Sequence, residues 1–205
     1  MSGHWQTTWL NNSIQYPEAV HLFLYETLPD FCNTSTFHLY TEICIEKKRY
    51  RANPAYRGKP WYDWAIVRFE LSEEEKKQLK YNKKHNIHPA YPPGYYPSKI
   101  LAFIRINNTI KVVIHCTESK KSTQFDSCLT ERYYLEYHKK NMRNSYHKNK
   151  HKIVPTFRIV DISNIHDRVY VVEESPGVHS ELNKESKLVI HVKKRETWSK
   201  YFTDT

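Results

Sequence analysis

The fold is decided by the stretch Tyr56-Arg57-Gly58-Lys59-Pro60-Trp61-Tyr62-Asp63-Trp64-Ala65-Ile66-Val67-Arg68-Phe69-Glu70. A turn of Arg, Gly, Lys and Pro leads into an aromatic cluster, and the cluster leads into a strand predicted at 61–71, whose apolar residues alternate. Two tryptophans and a tyrosine within four residues cover more surface than one strand end needs. They either close the end of a small barrel or line a recognition pocket. We expect Trp64 to be mainly structural, and Tyr62 or Trp61 to be more exposed.

Other segments show the same strand pattern. Residues 37–46 alternate between apolar and polar side chains, and residues 98–106 and 109–117 flank an Asn107-Asn108 pair that predicts a hairpin. Further strands are predicted at 131–137, 156–162, 169–174 and 187–193. Short strands rich in Ile, Val, Tyr and Phe predict a mainly β fold, a small partly open β-barrel with one or two helices in insertions.

Two segments read as helices and one as a stiff loop. Ser72 and Glu75 have the spacing of a capping box, and Pro17 precedes a possible helix over 17–28. Four prolines in 88–97 predict an irregular loop that displays tyrosines. We divide the chain into an N-terminal appendage at 1–30, packed on the domain, and a single β-rich domain at 31–205.

The charge predicts a polyanionic partner. The 205 residues carry a formal net charge of +10 with a pI near 9.3, which favours nucleic acid, nucleosomes or an anionic membrane surface. A basic loop is predicted at 138–152, and its alternative interpretation is a merely solvated loop. Its candidate nucleic-acid-binding residues are Lys139, Lys140, Arg143, Lys148, Lys150 and Lys152.

A second candidate site is an aromatic recognition patch. Its proposed members are Trp61, Tyr62, Tyr95 and Tyr96. Cages of aromatic rings hold methylated ammonium groups by cation–π attraction, and Asp63 would add a carboxylate. The alternative is that these aromatics form the core and cover one end of the barrel.

Chemical motifs are sparse. The spacing of Cys32, Cys44, Cys116 and Cys128 does not fit structural zinc, so we expect reduced thiols, no metal and no cofactor. Glu118-Ser119-Lys120 and Glu185-Ser186-Lys187 have the carboxylate-x-lysine spacing of some nucleases, which chance also produces. We therefore expect a protein that is not an enzyme. A metal-dependent nuclease is kept as an alternative.

Two resemblances add to this interpretation. The motifs at 56–69 and at Tyr96-Pro97-Ser98-Lys99-Ile100-Leu101-Ala102-Phe103 resemble an uncharacterised domain of large proteins from eukaryotic DNA transposons. The match covers roughly residues 37–200. The strand order is also similar to that of a bromo-adjacent homology (BAH) domain, through Ile159–Ile165 and Val169–Val172, although that family's usual tryptophan–tyrosine–arginine–proline strand is absent. The resemblance to the BAH domain implies histone-tail, nucleosome or protein partners and no chemistry.

The sequence predicts a non-catalytic nuclear recognition module that binds nucleic acid or chromatin, possibly of a mobile element. The alternative is a protein–protein scaffold that docks a partner on its aromatic patch. No apolar run is long enough to span a bilayer and no secretory signal is present, so we expect no membrane partner, with a cytoplasmic location as the alternative to the nucleus.

Overall fold

The computed structural model describes residues 17–28, 37–85, 91–106, 108–121, 130–137, 139–143, 151–174 and 187–193. The helices in these ranges are α1 (Glu18–Thr27) and α2 (Glu73–His85), and a 3-10 turn spans Ile162–Asn164. The strands are β1 (Phe37–Tyr40), β2 (Glu42–Ile45), β3 (Lys48–Tyr56), β4 (Lys59–Tyr62), β5 (Trp64–Arg68), β6 (Tyr95–Ile106), β7 (Thr109–Lys121), β8 (Thr130–Tyr137), β9 (Lys139–Arg143), β10 (His151–Pro155), β11 (Phe157–Asp161), β12 (Ile165–Val169), β13 (Val172–Glu174) and β14 (Lys187–Lys193).

The centre of the fold is a curled antiparallel sheet. Seven strands in the order β12-β5-β6-β7-β8-β14-β13 form an open half-barrel, with β1 added to β6 and β11 added to β7. The predicted β6–β7 hairpin is present, and Ile106 pairs with Thr109 across it. A register shift between Ile100 and Ala102 is a bulge, which bends the strand and adds to the curl. The prediction of a mainly β, partly open barrel is confirmed.

Apolar residues cover both faces of this sheet. On one face lies a smaller sheet, ordered β2-β3-β4, which buries Ile43, Tyr50 and Ala52. These three side chains pack against Ala65, Val67, Ile100, Phe103, Val112 and Ile114 of the curled sheet. The resulting core holds β3 and β4 against the half-barrel.

The opposite face is covered by α1. Val20 and Leu24 of the helix are buried against Leu101, Ile104 and Val113. The helix predicted at 17–28 is therefore present, and it packs on the domain. Residues 1–16 and 29–30 of the predicted appendage lie outside the described residues.

The α2 helix begins as predicted. The Ser72 backbone N–H donates to Glu75 Oε2 at 2.8 Å, and the Glu75 N–H donates to Ser72 Oγ at 3.2 Å, which completes the capping box. Neither helix of the described ranges has the length and apolar content needed to cross a membrane.

Three predicted strands are wrong in their bounds. Residues 37–46 break at Thr41, residues 61–71 break at Asp63, and residues 169–174 divide between β12 and β13. The first two breaks have a common cause: the chain passes from the small sheet to the curled sheet, or back, at each of them. The Thr41 carbonyl accepts from Ala52 N–H at 2.7 Å, and Asp63 N–H donates to the Arg51 carbonyl at 2.8 Å.

The proline-rich loop predicted at 88–97 is also wrong in part. Tyr95, Tyr96 and Pro97 belong to β6. Pro97 lies before Ser98, the first residue of β6 that pairs with β7, so its missing N–H breaks no bond of that ladder. Residues 86–90 lie outside the described residues.

The basic segment contains more structure than a loop. β9 and β10 form a two-stranded antiparallel sheet in which Arg143 pairs with His151 and Lys139 pairs with Pro155. The prediction of a loop over 138–152 is therefore wrong for 139–143 and for 151–152, which belong to β9 and β10. Residues 144–150 lie outside the described residues.

Candidate functional site

A tight hairpin positions Trp61 at the edge of the small sheet. Arg57 and Gly58 connect β3 to β4 with left-handed backbone angles, φ 51° and 77°. The hairpin places Trp61 against Tyr56, with ring centroids 5.6 Å apart and planes at 64°. Trp61 remains 44% exposed. The sequence motif therefore forms a partly exposed aromatic edge.

Hydrogen bonds to Asp63 hold this aromatic edge in place. Its buried carboxylate accepts from Arg51 N–H at 2.8 Å, from Trp61 Nε1 at 3.0 Å and from Arg168 Nη2 at 2.8 Å. The Asp63 backbone carbonyl also accepts from Ile100 N–H of β6 at 2.9 Å. One residue thus joins β3, β4, β6 and β12, and it fixes the tilt of the Trp61 indole.

Arginines lie over the exposed rings. The Arg51 guanidinium is 5.1 Å from the Tyr56 centroid and 5.9 Å from that of Trp61. Arg57 lies 5.4 Å from the Tyr56 centroid. Arg51 Nε donates to Glu42 Oε2 at 2.8 Å, and this hydrogen bond raises the pKa of the guanidinium. Arg51 is therefore charged and fixed in position.

A third arginine extends the surface. Arg168, anchored on Asp63, also lies 5.3 Å from the centroid of Tyr170, which is 76% exposed. Cations and rings that are held in place by buried carboxylates provide both charge and stacking planes. We call this set the Trp61 surface; its members are Tyr56, Trp61, Tyr170, Arg51, Arg57 and Arg168.

The four residues of the predicted aromatic patch do not come together. Tyr62 follows Trp61 but is half-buried, and its ring faces Lys99 Nζ at 5.1 Å. Tyr95 and Tyr96 pair in register with Arg68 and Val67, at the end of β5 opposite to Asp63. Only Trp61 of the predicted patch belongs to the Trp61 surface.

Tyr95 and Tyr96 have other surroundings. Tyr95 packs edge-on against His166, with centroids 5.4 Å apart, and Tyr96 Oη hydrogen-bonds to Glu75. Tyr95 also lines an open groove of about 660 Å³ that lies between the start of α2 and the 3-10 turn. The groove wall combines apolar Leu71 and Leu79 with charged groups of both signs. Its mixed lining does not indicate one ligand.

Trp64 is structural, as expected. It is buried, and its ring lies 5.9 Å from that of Tyr137. Tyr62 is half-buried and Trp61 is exposed, so the expected order of exposure within the cluster is confirmed.

The candidate nucleic-acid residues are placed only by their backbone. Lys139, Lys140 and Arg143 lie on β9, and Lys152 lies on β10. Lys140 pairs in register with Val154, and Met142 pairs with Lys152. Lys148 and Lys150 lie outside the described residues.

The candidate chemical motifs form no site in the described ranges. Cys116 is buried, Cys44 is partly buried, and both are free thiols. No group of three or more His, Cys, Asp or Glu side chains there is arranged to hold a metal. Glu118 lies on β7, opposite Glu136 in register. Cys32, Cys128 and Glu185 lie outside the described ranges.

Sequence reasoning missed most of the Trp61 surface. Tyr56 and Arg57 stood in the quoted motif, but were assigned only to its turn. Counting residues back from that turn does not bring Arg51 to Trp61, because the β3–β4 ladder shifts register between Asn53 and Tyr56. Arg168 lies 105 residues from Asp63 along the chain, and no local pattern indicates that contact.

Comparison with protein-family models, curated proteins and solved structures finds no match to this chain.

Proposed function

We propose that the chain is a non-catalytic recognition module that binds single-stranded nucleic acid on the Trp61 surface. The observation that carries this proposal is the exposed Trp61 indole, fixed by Asp63 and bordered by arginines. Proteins that bind single strands combine aromatic stacking planes with a cationic track for the phosphates. The net charge of +10 supplies long-range attraction to such a polyanion.

The same geometry disfavours an aromatic cage for methylated lysine. Such a cage needs ring faces that are open to a ligand cation. Here Arg51 already lies over Tyr56 and Trp61, and Arg57 lies over Tyr56. Arg51 and Arg168 are paired with Glu42 and Asp63, so Arg57 is the arginine of this surface best placed to contact a phosphate. Nuclear location, chromatin partners and transposon association remain predictions from the sequence.

Single strands are favoured over duplex DNA for a steric reason. A base can stack on Trp61 only when it is not already stacked within a duplex. The indole lies on the edge strand β4 and is 44% exposed, so a base can stack on the part of the ring that Arg51 and Tyr56 leave open. A duplex would meet the arginines alone and gain only the non-specific, salt-sensitive attraction.

The first test measures binding of a labelled oligothymidylate and of a matched duplex at several salt concentrations. Trp61→Ala should weaken single-strand binding about 5- to 100-fold, the range expected for one stacked base. Trp61→Phe should recover part of the loss, because a phenyl ring still stacks. Tyr81→Ala is the matched control: Tyr81 is 53% exposed on α2, away from the Trp61 surface, and its loss should leave binding unchanged.

The second test concerns the arginines. Arg57→Gln should weaken binding and reduce the salt slope by about 0.7, the value for one phosphate contact on a single strand. Joint neutralisation of Lys139, Lys140, Lys148 and Lys150 tests whether the basic segment extends the same track. Binding that is insensitive to salt, or that is equal for Trp61→Ala and the unaltered chain, would contradict the proposal. Capture of a protein that survives nuclease treatment would instead support the scaffold alternative.

A further inference from the structure

A second set of polar groups lies away from the Trp61 surface. Trp64, Lys99 and His115 are adjacent in register on β5, β6 and β7, so they share one face of the curled sheet. This is the face on which α1 packs, because Leu101 and Val113 lie on it too. Directly opposite residues in antiparallel strands are close neighbours, with Cβ atoms about 5 Å apart. Lys99 and His115 are therefore side by side.

Aromatic rings border this pair. The Tyr137 ring stacks on His115 with centroids 4.2 Å apart, and Phe157 meets His115 edge-on at 5.0 Å. Tyr137 also lies 5.9 Å from Trp64. The rings shield part of His115 from water, and Lys99 is its neighbour in register.

Lys99 is a half-buried amine whose charge is poorly compensated. Within the described part of the chain, the Lys99 ammonium forms no ion pair. Its Nζ atom lies 5.1 Å from the centroid of the Tyr62 ring. Burial lowers the pKa of Lys99, while the carboxylate of Glu173 acts in the opposite direction. A half-buried ammonium without a bonded partner is costly, and an anionic ligand would remove most of that cost.

A second unsatisfied donor belongs to the ring that Lys99 contacts. Tyr62 Oη is buried and has no hydrogen-bond partner among the described residues. Buried hydroxyl groups without a partner are rare in folded proteins. Burial also raises the pKa of Tyr62, so this hydroxyl keeps its proton and can donate it in a hydrogen bond.

We propose that Lys99 Nζ and Tyr62 Oη form a binding subsite for an anionic oxygen group, a phosphate or a carboxylate, carried by a ligand of this protein. Both groups can donate hydrogen bonds, and Lys99 Nζ lies 5.1 Å from the centre of the ring that carries the hydroxyl. The Lys99 ammonium would form an ion pair with the anion, and the Tyr62 hydroxyl would fix the orientation of the anion through a directional hydrogen bond. The inference is independent of the proposed function, because its site shares no residue with the Trp61 surface.

Inorganic phosphate is the probe for the test, with acetate and chloride compared at matched ionic strength. Phosphate should raise the thermal unfolding midpoint of the full chain in a saturable way, since a ligand of the folded state stabilises it. Lys99→Met should weaken phosphate binding, measured by calorimetry, at least about tenfold. Lys59→Met is the matched control, because Lys59 is exposed on β4, and it should leave binding unchanged.

Tyr62→Phe removes a single oxygen and keeps the ring. This variant should be at least as stable as the unaltered chain, because an unsatisfied buried hydroxyl disappears, yet it should bind phosphate about three- to tenfold more weakly. If Lys99→Met does not fold, phosphate binding by Tyr62→Phe alone tests the subsite. Saturable stabilisation by acetate but not by phosphate would support the subsite and assign it to carboxylates. Equal stabilisation by all three anions, no saturation, or equal binding by both variants and the control would overturn the inference.

Discussion

Asp63 shows how much one buried side chain can organise. Its carboxylate accepts hydrogen bonds from a backbone amide, an indole and a guanidinium, each from a different strand. Desolvation of such a carboxylate is costly, and these donors offset that cost only when all of them are present. The residue that interrupts the predicted strand at 61–71 is thus the one that fixes Trp61.

Asp63→Asn should destabilise the fold by about 3 kcal/mol, the lower end of the cost of breaking a buried pair, because Arg168 is partly solvated. In this variant the side-chain NH2 group would face one of the three groups that donate to Asp63, so that two donors would meet. Arg168 would also lose its counter-ion. Urea unfolding of Asp63→Asn measures the loss. Asp161→Asn is the control: this exposed carboxylate pairs with Lys111 and should contribute at most about 1 kcal/mol. Equal losses in the two variants would show that Asp63 is not the organising residue.

At the scale of elements, turn geometry decides how α2 and β6 meet. Gly94 has φ 87°, and its carbonyl accepts from Phe69 N–H at 2.7 Å. A Cβ at Gly94 would lie 2.8 Å from Leu71 Cδ2 and 3.1 Å from the Phe69 carbonyl oxygen. Gly58 has φ 77° in the β3–β4 turn, and a Cβ there would meet nothing within 4 Å.

The two glycines form a matched pair for substitution by alanine. Gly58→Ala should cost about 1 kcal/mol, the penalty of a left-handed backbone alone. Gly94→Ala should cost about 3 kcal/mol, because overpacking against Leu71 and Phe69 is added to that penalty. Denaturant midpoints of the two variants test the difference. A Gly94→Ala loss no larger than that of Gly58→Ala would mean that the Pro92–Tyr95 turn moves freely.

Local signals predicted the elements whose stability is local. The capping box at Ser72 predicted α2, and the alternation of apolar residues predicted β6, β7 and the hairpin between them. The breaks at Thr41 and Asp63 escaped prediction because they depend on hydrogen bonds to Ala52 and Arg51, formed only when two sheets meet. For the same reason, the sequence predicted Trp61 as a site residue but not Arg168, whose contact needs the whole sheet order.

At the scale of the whole molecule, the curled sheet separates two surfaces. The small sheet on one face presents Trp61 at its edge strand, whereas Lys99 lies on the face that carries α1. A chain with a net charge of +10 must also fold against its own repulsion. The buried residues of the described ranges include Tyr40, Tyr50 and Tyr133, which add apolar area without adding charge at neutral pH.

This use of tyrosine sets an alkaline limit to stability. Burial, with a smaller contribution from Asp167, raises the pKa of Tyr50 to about 12, and burial, with Glu173, raises that of Tyr137 to about 12. In the unfolded chain both should titrate near 10. Above about pH 10 the folded state therefore holds more protons than the unfolded state, so stability falls as pH rises. The lowered pKa of Lys99 acts in the opposite sense, and its effect ends near the ordinary lysine value of about 10.5.

Denaturant midpoints measured from pH 9 to pH 12 should accordingly fall most steeply above about pH 10.5, where the opposing effect of Lys99 has ended. The Cys116 thiol, whose pKa is also raised by burial, acts in the same direction as the tyrosines. Tyrosinate absorbance should rise in step with unfolding for buried rings such as Tyr50 and Tyr137. Tyr50→Phe, which removes the titrating hydroxyl but keeps the ring, should flatten the fall. Ionisation of all tyrosines near pH 10 in a chain that stays folded would contradict the burial on which this prediction rests.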